Sequence, residues 1–394
     1  MPKPLEGVFV LDLTRVLAGP FCTMILADLG ATVVKVERPG KGDDSRAFSP
    51  MIGEESAYFM SINRGKKSIT LNLKDERGKE LLLELVEKAD VVVENFRPGV
   101  MEKLGLSYEE LQKTNPSLIY ASSSGYGHSG PYSKKAAYDL IIQGLSGMMS
   151  ITGPDIDHPM KVGSSLADII SGMFTCIGIL SSLLHKSRGG EAQRVDVAML
   201  DSMVAVLENA IVRYTVTGEI PRPIGNLHPS IAPFASFETR DGRINIAIGN
   251  DSLWEKFCTV LEQADWLEDP RFTTNPLRVK NLEPLMALIN KRLAQKDSEE
   301  WLSIFEQHDI PSGQVNRMNQ VLSHPQLKAR EMLVDVEHPA GTVTMPGVPI
   351  KFSQTPASIS GPAPRLGQDN HEVYVGWLKL SEERFTQLLQ EGVI

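Results

Sequence analysis

Much of what this chain could do is excluded by what it lacks. Its three cysteines, Cys22, Cys176 and Cys258, lie far apart with no CxxC spacing and no histidine close by. They point to buried thiols rather than to a redox pair or a zinc site. The eight histidines never recur at HxxxH or HExxH spacing, so no metal is expected. Forty basic residues stand against 49 acidic ones, for a net charge of −9, and no block of like charge occurs. Neither nucleic acid nor a membrane surface then has an electrostatic footing as a partner. No apolar run approaches membrane-spanning length, and the opening Met-Pro-Lys-Pro-Leu-Glu-Gly has no charged-then-apolar pattern. A cytoplasmic protein is the expectation. Internal repeats and low-complexity tracts are also missing.

The 394 residues, 42% apolar and 23% charged, have the balance of an ordinary globular chain, long enough for two domains or for one with an insertion. Val8–Leu13, a helix from about Phe21 to Leu29, and Ala31–Glu37 read as a βαβ start, hence a parallel sheet. The turn after that first strand lacks GxGxxG, which removes the main support for an NAD(P)-dependent oxidoreductase. The alternation continues through strands at Ser68–Leu73, Asp90–Glu94, Leu118–Ser122 and Gln193–Val197, and helices at Glu76–Ala89, Ala136–Met149 and Asp201–Thr215. Each strand ends in a polar loop, so these loops share one rim. There Arg38 suits a ribose phosphate or is a solvated loop arginine. Lys66, Lys67, Lys74, Arg97 and Lys103 are candidate phosphate contacts, of which one or two are expected to matter. His128, flanked by glycine and serine, reads as solvated or structural rather than as a base.

Composition changes at Gly218–Asn226, a Pro/Gly linker. The expected division is a first domain over 1–217, a linker over 218–230, a small α+β domain over 231–330 and a return segment over 331–394. The small domain begins with two strands, Phe234–Thr239 and Ile244–Ile248, joined by an Arg240-Asp241-Gly242-Arg243 turn. Strand-like Thr342–Met345 and Ile350–Phe352 and two tail helices follow.

One carboxylate draws attention. Asp168 stands between the Gly/Ser loop Gly163-Ser164-Ser165 and an apolar helix running to about Leu184. A helix start favours the charged carboxylate, as suits a nucleophile. It equally suits an aspartate that does no more than cap the helix. The local pattern leaves both readings open.

The motifs Leu11-Asp12-Leu13-Thr14-Arg15-Val16-Leu17-Ala18-Gly19-Pro20, Lys35-Val36-Glu37-Arg38-Pro39-Gly40, Asn63-Arg64-Gly65-Lys66-Lys67-Ser68, Glu94-Asn95-Phe96-Arg97-Pro98-Gly99 and Leu166-Ala167-Asp168 occur in that order. Together they resemble the class III CoA-transferases, the CaiB/BaiF family, over nearly the full length. The resemblance implies a Rossmann-like large domain made from both chain ends, an inserted small domain and an interlocked homodimer. It implies CoA transfer from an acyl-CoA (succinyl-, acetyl- or formyl-CoA) to a short carboxylic acid, with the CoA thioester as co-substrate and no permanently bound cofactor. Asp168 matches the family's catalytic aspartate, which favours the nucleophile over the plain cap.

Val16, Leu17, Arg38, Leu71, Lys74, Asn95, Phe96 and Tyr138 match CoA-contacting positions, and Arg97 adjoins them. Lys103 replaces an arginine of formyl-CoA transferase, and Ala136 replaces a lysine, with Lys135 next to it. The glycine-rich small-domain loop of that enzyme is replaced by Gly225–Phe234. This resembles the acetyl-CoA:oxalate and succinate–hydroxymethylglutarate branches, and Asn226, His228 and Arg46 become candidates to meet a second carboxylate. Rival readings are an α-methylacyl-CoA racemase, disfavoured because Tyr138 stands where racemases carry histidine, and a non-catalytic CoA-binding protein.

Overall fold

The computed structural model describes residues 2–394. Contacts divide the chain into two units, one formed by residues up to Met149 with Lys161–Gly218 and Pro325–Ile394, the other by Ser150–Met160 with Glu219–His324. The stretch 150–160, which reads from sequence as part of the first domain, thus groups with the second unit. Pro325–Arg330 groups with the first.

The first unit is built on six parallel strands: β1 (Phe9–Asp12), β2 (Thr32–Glu37), β3 (Lys67–Thr70), β4 (Val91–Glu94), β5 (Ile119–Ser124) and β6 (Arg194–Ala198). Their order is β3-β2-β1-β4-β5-β6, every neighbouring pair being parallel. Valine-rich runs such as Val91-Val92-Val93 suit strands buried on both faces, as a parallel sheet requires. Alternate residues feed two apolar layers. Leu11, Val34 and Val92 pack with Leu81, Leu82 and Leu85 of the helix Glu76–Val86 and with Tyr374 and Leu388 from the chain's end. Val10, Val33 and Val93 pack on the other side with Cys22, Leu26, Cys176 and Ile179. The returning chain is tied to β3, where the Tyr374 hydroxyl donates to the Thr70 carbonyl over 2.8 Å. The strand order reverses between β1 and β4, and such a switch point, at the carboxyl ends of the strands, is where open α/β sheets take ligands.

Several expected elements differ. The helix expected over Ala136–Met149 is two pieces, Asp139–Leu145 and Met148–Ile151, parted at Gly147, whose φ of 90° is left-handed. That expected over Asp201–Thr215 also breaks, into Met199–Ala205 and Ala210–Thr217, with Glu208 at φ 54° between them. Ile350–Phe352 forms no strand. Gly341–Pro346 does, paired with Leu333–His338.

The helix Leu166–Ser187 is 22 residues long and contains an 18-residue window at a mean hydropathy of 1.7, by length and composition enough to cross a membrane. This corrects the reading that no such run exists. Ser171, Thr175 and Ser182, all buried in this fold, interrupt the apolar residues and hid the run. The helix packs on Ala18–Asp28 and along β5 and β6.

The second unit has the three-stranded antiparallel sheet Phe234–Glu238, Arg243–Ala247 and Ser312–Gln314, the first two forming the expected hairpin. Its core is aromatic, with Trp254 stacked on Trp266 and Trp301 on Phe305.

Candidate active site

Asp168 is the third residue of the long helix, and Gly172 fixes where that helix lies. A Cβ at Gly172 would stand 2.5 Å from the Ala18 carbonyl oxygen, so only glycine lets this helix approach the start of Ala18–Asp28 so closely. Val16 precedes that start at φ 67°, an unusual conformation for a β-branched residue. The Asp43 carboxylate holds it there by accepting the Val16 N–H at 3.1 Å.

The cap of the long helix comes from elsewhere. Asp139 accepts the Ala167 N–H over 2.9 Å and is itself fixed by Gln143 Nε2 at 2.9 and 3.1 Å. Among the described residues none donates a hydrogen bond to the Asp168 carboxylate, which is not what a simple capping role requires. The expectation that the helix start keeps Asp168 fully charged is also corrected. Burial, and then the like charge of Asp139, push its pKa from 3.8 up to about 7.

Two cavities meet around this point. The smaller, about 190 Å³, is lined by Asp168 together with Val16, Leu17, Asn95 and Tyr138. The larger, about 660 Å³, is lined by Arg38, Leu71 and Lys74. Arg15, Phe96 and Arg97 belong to the walls of both. Nearly all the residues singled out for CoA in the sequence therefore gather around the switch point. Lys103 is the exception: exposed on its short helix, it lines neither cavity, although its neighbour Leu104 does.

Arg15 was not singled out from the sequence, yet it joins the cavities. Its guanidinium lies 5.2 Å from the Phe96 ring centre, and Asn95 clamps its peptide, accepting the Arg15 N–H and donating to the Arg15 carbonyl, each at 2.8 Å. The available signal was its place just after β1, opposite the loop that follows β4.

Beneath these loops lies a buried charge network. Asp12 accepts from Lys66 at 3.0 Å and from Thr23 at 2.6 Å, with Thr14 a further donor. Lys35 bridges the Thr14 carbonyl and Asp43, both at 2.8 Å. Glu37 takes Arg46 through two nitrogens, with Ser68 and the Asp43 N–H. Three carboxylates and three cations thus balance. Burial opposes charge on Asp12, but Lys66 and Lys35 outweigh it and hold the carboxyl below its usual range. Burial wins at Lys66, whose pKa falls to about 8, helped by repulsion from Lys35.

These partners remove several candidates. Lys66 is wholly buried on Asp12, Lys67 is paired with Glu372 at 2.7 Å, and Arg46 is spent on Glu37, so none of the three is free for a phosphate or a substrate carboxylate. GxGxxG spacing does occur after β5, as Gly125-Tyr126-Gly127-His128-Ser129-Gly130. No helix follows until Asp139, so no helix N-terminus is there to receive a pyrophosphate. His128 is mostly buried with its ring 3.6 Å from Glu94, a structural placement.

In the second unit, Asn226 lines a cavity of about 500 Å³ and donates to Ser236 over 3.2 Å. His228 packs on Phe234, its ring nitrogen accepting the Ser230 N–H at 3.1 Å. Among the described residues no group of three or more His, Cys, Asp or Glu side chains is placed to hold a metal.

Comparison with known proteins agrees with this geometry. Residues 5–370 match the family model described as CoA-transferase family III. The chain is 45% identical to the acetyl-CoA:oxalate CoA-transferase of Acetobacter aceti, covering 89% of this chain and 90% of that protein. It is 40% identical to the succinyl-CoA:glutarate CoA-transferase of Mus musculus, covering 100% and 90%. A crystal structure of a CaiB/BaiF family protein from Brucella suis superposes with a TM-score of 0.86 at 40% identity, covering 95% of this chain and 100% of that one. The chain is an enzyme and belongs to CoA-transferase family III, the CaiB/BaiF family.

Proposed function

We propose that this enzyme moves CoA from an acyl-CoA to a short dicarboxylic acid through a covalent intermediate on Asp168. The carrying observation is one undonated carboxylate in a small cavity that shares Arg15, Phe96 and Arg97 with a larger, cation-bearing one. The larger cavity suits the nucleotide end of CoA, with Lys74 and Arg97 for its phosphates, Arg38 joining them by exchanging its exposed partner Asp44, 2.6 Å away, for the ligand, and Leu71 as apolar floor. The smaller suits the thioester, with Val16, Leu17 and Tyr138 around the arm.

The reaction exchanges one thioester for another, so no external energy source is needed. Asp168 attacks the donor's carbonyl carbon, the C–S bond breaks and a mixed anhydride is left with CoA thiolate. The thiolate then attacks the Asp168 carbonyl, expels the donor's acid and leaves an aspartyl-CoA thioester. The acceptor acid runs the same steps backwards. A cation hydrogen-bonded to Asp168 would quench such a nucleophile, and among the described residues none is bonded to it, although Arg15, Arg97 and Lys135 line the same cavity. The names of the similar proteins support oxalate- or glutarate-like acids as acceptors and acetyl- or succinyl-CoA as donors. Asn226 and His228 are our assignment for the acid's far carboxylate, on the family likeness alone.

We also read the active form as an interlocked homodimer. Met173, Ile177 and Leu184 on the long helix, with Leu140, Ile141 and Leu145, leave apolar surface exposed that a second copy would cover. Light scattering should give the mass of two 43.4 kDa chains.

The deciding experiment incubates the enzyme with acetyl- or succinyl-CoA and hydroxylamine, then maps the modified residue by mass spectrometry. Inactivation that needs the acyl-CoA and lands on Asp168 supports the reading. Inactivation with Asp168 unmodified removes it.

A further inference from the structure

No described residue donates a hydrogen bond to the Asp168 carboxylate, so its place in the cavity is set by the backbone that carries it and by packing. That backbone is gripped from a second helix. Gln143, in the helix Asp139–Leu145, is wholly buried. Its Oε1 accepts the Val162 N–H at 2.9 Å. Its Nε2 donates to both Asp139 oxygens, at 2.9 and 3.1 Å, and to the Ser164 carbonyl at 3.4 Å. Asp139 in turn accepts the Ala167 N–H over 2.9 Å. One amide thus fixes the chain on both sides of Gly163 directly and, through Asp139, the first turn of the helix that carries Asp168.

An amide suits this place because it presents an acceptor and two donors on one planar head. An ionised glutamate would face Asp139 with a second negative charge, and an apolar side chain would leave the Val162 N–H and the Asp139 carboxylate without their partner. The frame is itself seated on the sheet. A Cβ at Gly125, just past β5, would stand 2.2 Å from the Ala137 Cβ, so glycine there lets the chain leading into Asp139 lie against the strand end. Gly125, Ala137 and Tyr138 line the Asp168 cavity, whereas Gln143 lines neither that cavity nor the larger one. A ligand in them does not touch Gln143, which can act on the reaction only through what it holds.

Attack on a thioester needs the carboxylate oxygen about 3–3.5 Å from the carbonyl carbon, and a misplacement of about 1 Å can cost about a hundredfold in rate. We propose that Gln143 is a positioning residue, its amide acting with Asp139 to hold the start of the Asp168 helix where the carboxylate reaches the thioester carbon. The inference rests on the covalent reading above and adds what aims its nucleophile.

Gln143→Met, which fills similar space without a donor or acceptor, tests it against wild type. Two readouts are taken well below the variant's Tm: the single-turnover rate of Asp168–CoA thioester formation from saturating succinyl-CoA, by quenched mass spectrometry, and the Kd of free CoA. The rate should fall at least about fivefold, toward the hundredfold of a 1 Å misplacement. CoA affinity should stay within about twofold of wild type. A purely structural role would lower Tm and leave the rate of the folded enzyme alone, so a rate loss under about fivefold overturns the proposal. So does a rate loss no larger than the loss of CoA affinity. Combined with Asp139→Ala, the loss should fall short of the product of the two single losses, because the pair acts as one unit; full multiplication also overturns it. Gln143→Asn, an amide one methylene short of its partners, answers the same question if Gln143→Met does not fold. If wild type itself forms no adduct on Asp168, the covalent reading falls and this inference with it. An adduct that forms as fast in the variants as in wild type removes this inference alone.

Discussion

Asp168→Asn removes the nucleophile and, at the same time, a negative charge the fold holds at a cost. In the folded protein burial and Asp139 raise the pKa of this carboxyl from 3.8 to about 7. Between those values the folded state holds a proton that the unfolded chain has released. Stability contributed by this group therefore falls as pH rises from about 4 to about 7. At about 1.4 kcal/mol per unit, the penalty reaches an upper bound of ~4 kcal/mol at pH 8 and is only ~1.5 kcal/mol at pH 5. Asparagine carries no such penalty at either pH. The variant should lose CoA-transferase activity, yet resist urea better than wild type, with a gain clearly larger at pH 8 than at pH 5. Urea unfolding followed by tryptophan fluorescence at the two pH values measures this. A variant less stable than wild type at pH 8, or a gain that does not change with pH, would refute the reasoning.

Four further outcomes are expected. Asp139→Asn keeps an oxygen for the Ala167 N–H but removes the like charge, so the acidic limb of the single-turnover acylation rate should move below pH 7; an unmoved limb would leave burial as the sole cause. Asp12→Ala leaves the buried Lys66 without its carboxylate, and by the usual cost of breaking a buried pair should destabilise the fold by about 3–5 kcal/mol in chemical denaturation. Arg15→Ala removes one of the three side chains common to both cavities, and calorimetry should show about tenfold weaker CoA binding, the scale of one charge-assisted contact. All three thiols are buried, with burial pushing that of Cys258 up to about 12, so a thiol reagent should label none in the native protein and three after unfolding.

The sheet was legible because valine-rich runs and polar loops carry their signal locally. The helix that carries Asp168 was legible for the same reason, through its apolar stretch and the Gly/Ser loop before it. What the sequence misjudged depends on contacts between distant residues. Lys66 reads as a loop lysine until Asp12, 54 positions away, is seen to bury it. Arg46 looks free for a substrate until Glu37 claims it through two nitrogens. The charge state of Asp168 followed from a helix start considered alone, whereas the burial and Asp139 that oppose it come from packing. The helix breaks at Gly147 and Glu208 are single left-handed residues inside continuous helical patterns, and no periodicity shows them.

Asn95 grips the Arg15 peptide from both sides while the Arg15 side chain lies along Phe96. If the larger cavity takes the nucleotide end of CoA as proposed, a pull there reaches the wall of the Asp168 cavity through this clamped backbone rather than through a floppy side chain. A shortened donor, such as an acyl thioester of N-acetylcysteamine, could reach the carboxylate but would leave that handle unpulled. Saturating the enzyme with it should not restore full turnover, since grip on the far end of a substrate is spent where bonds change.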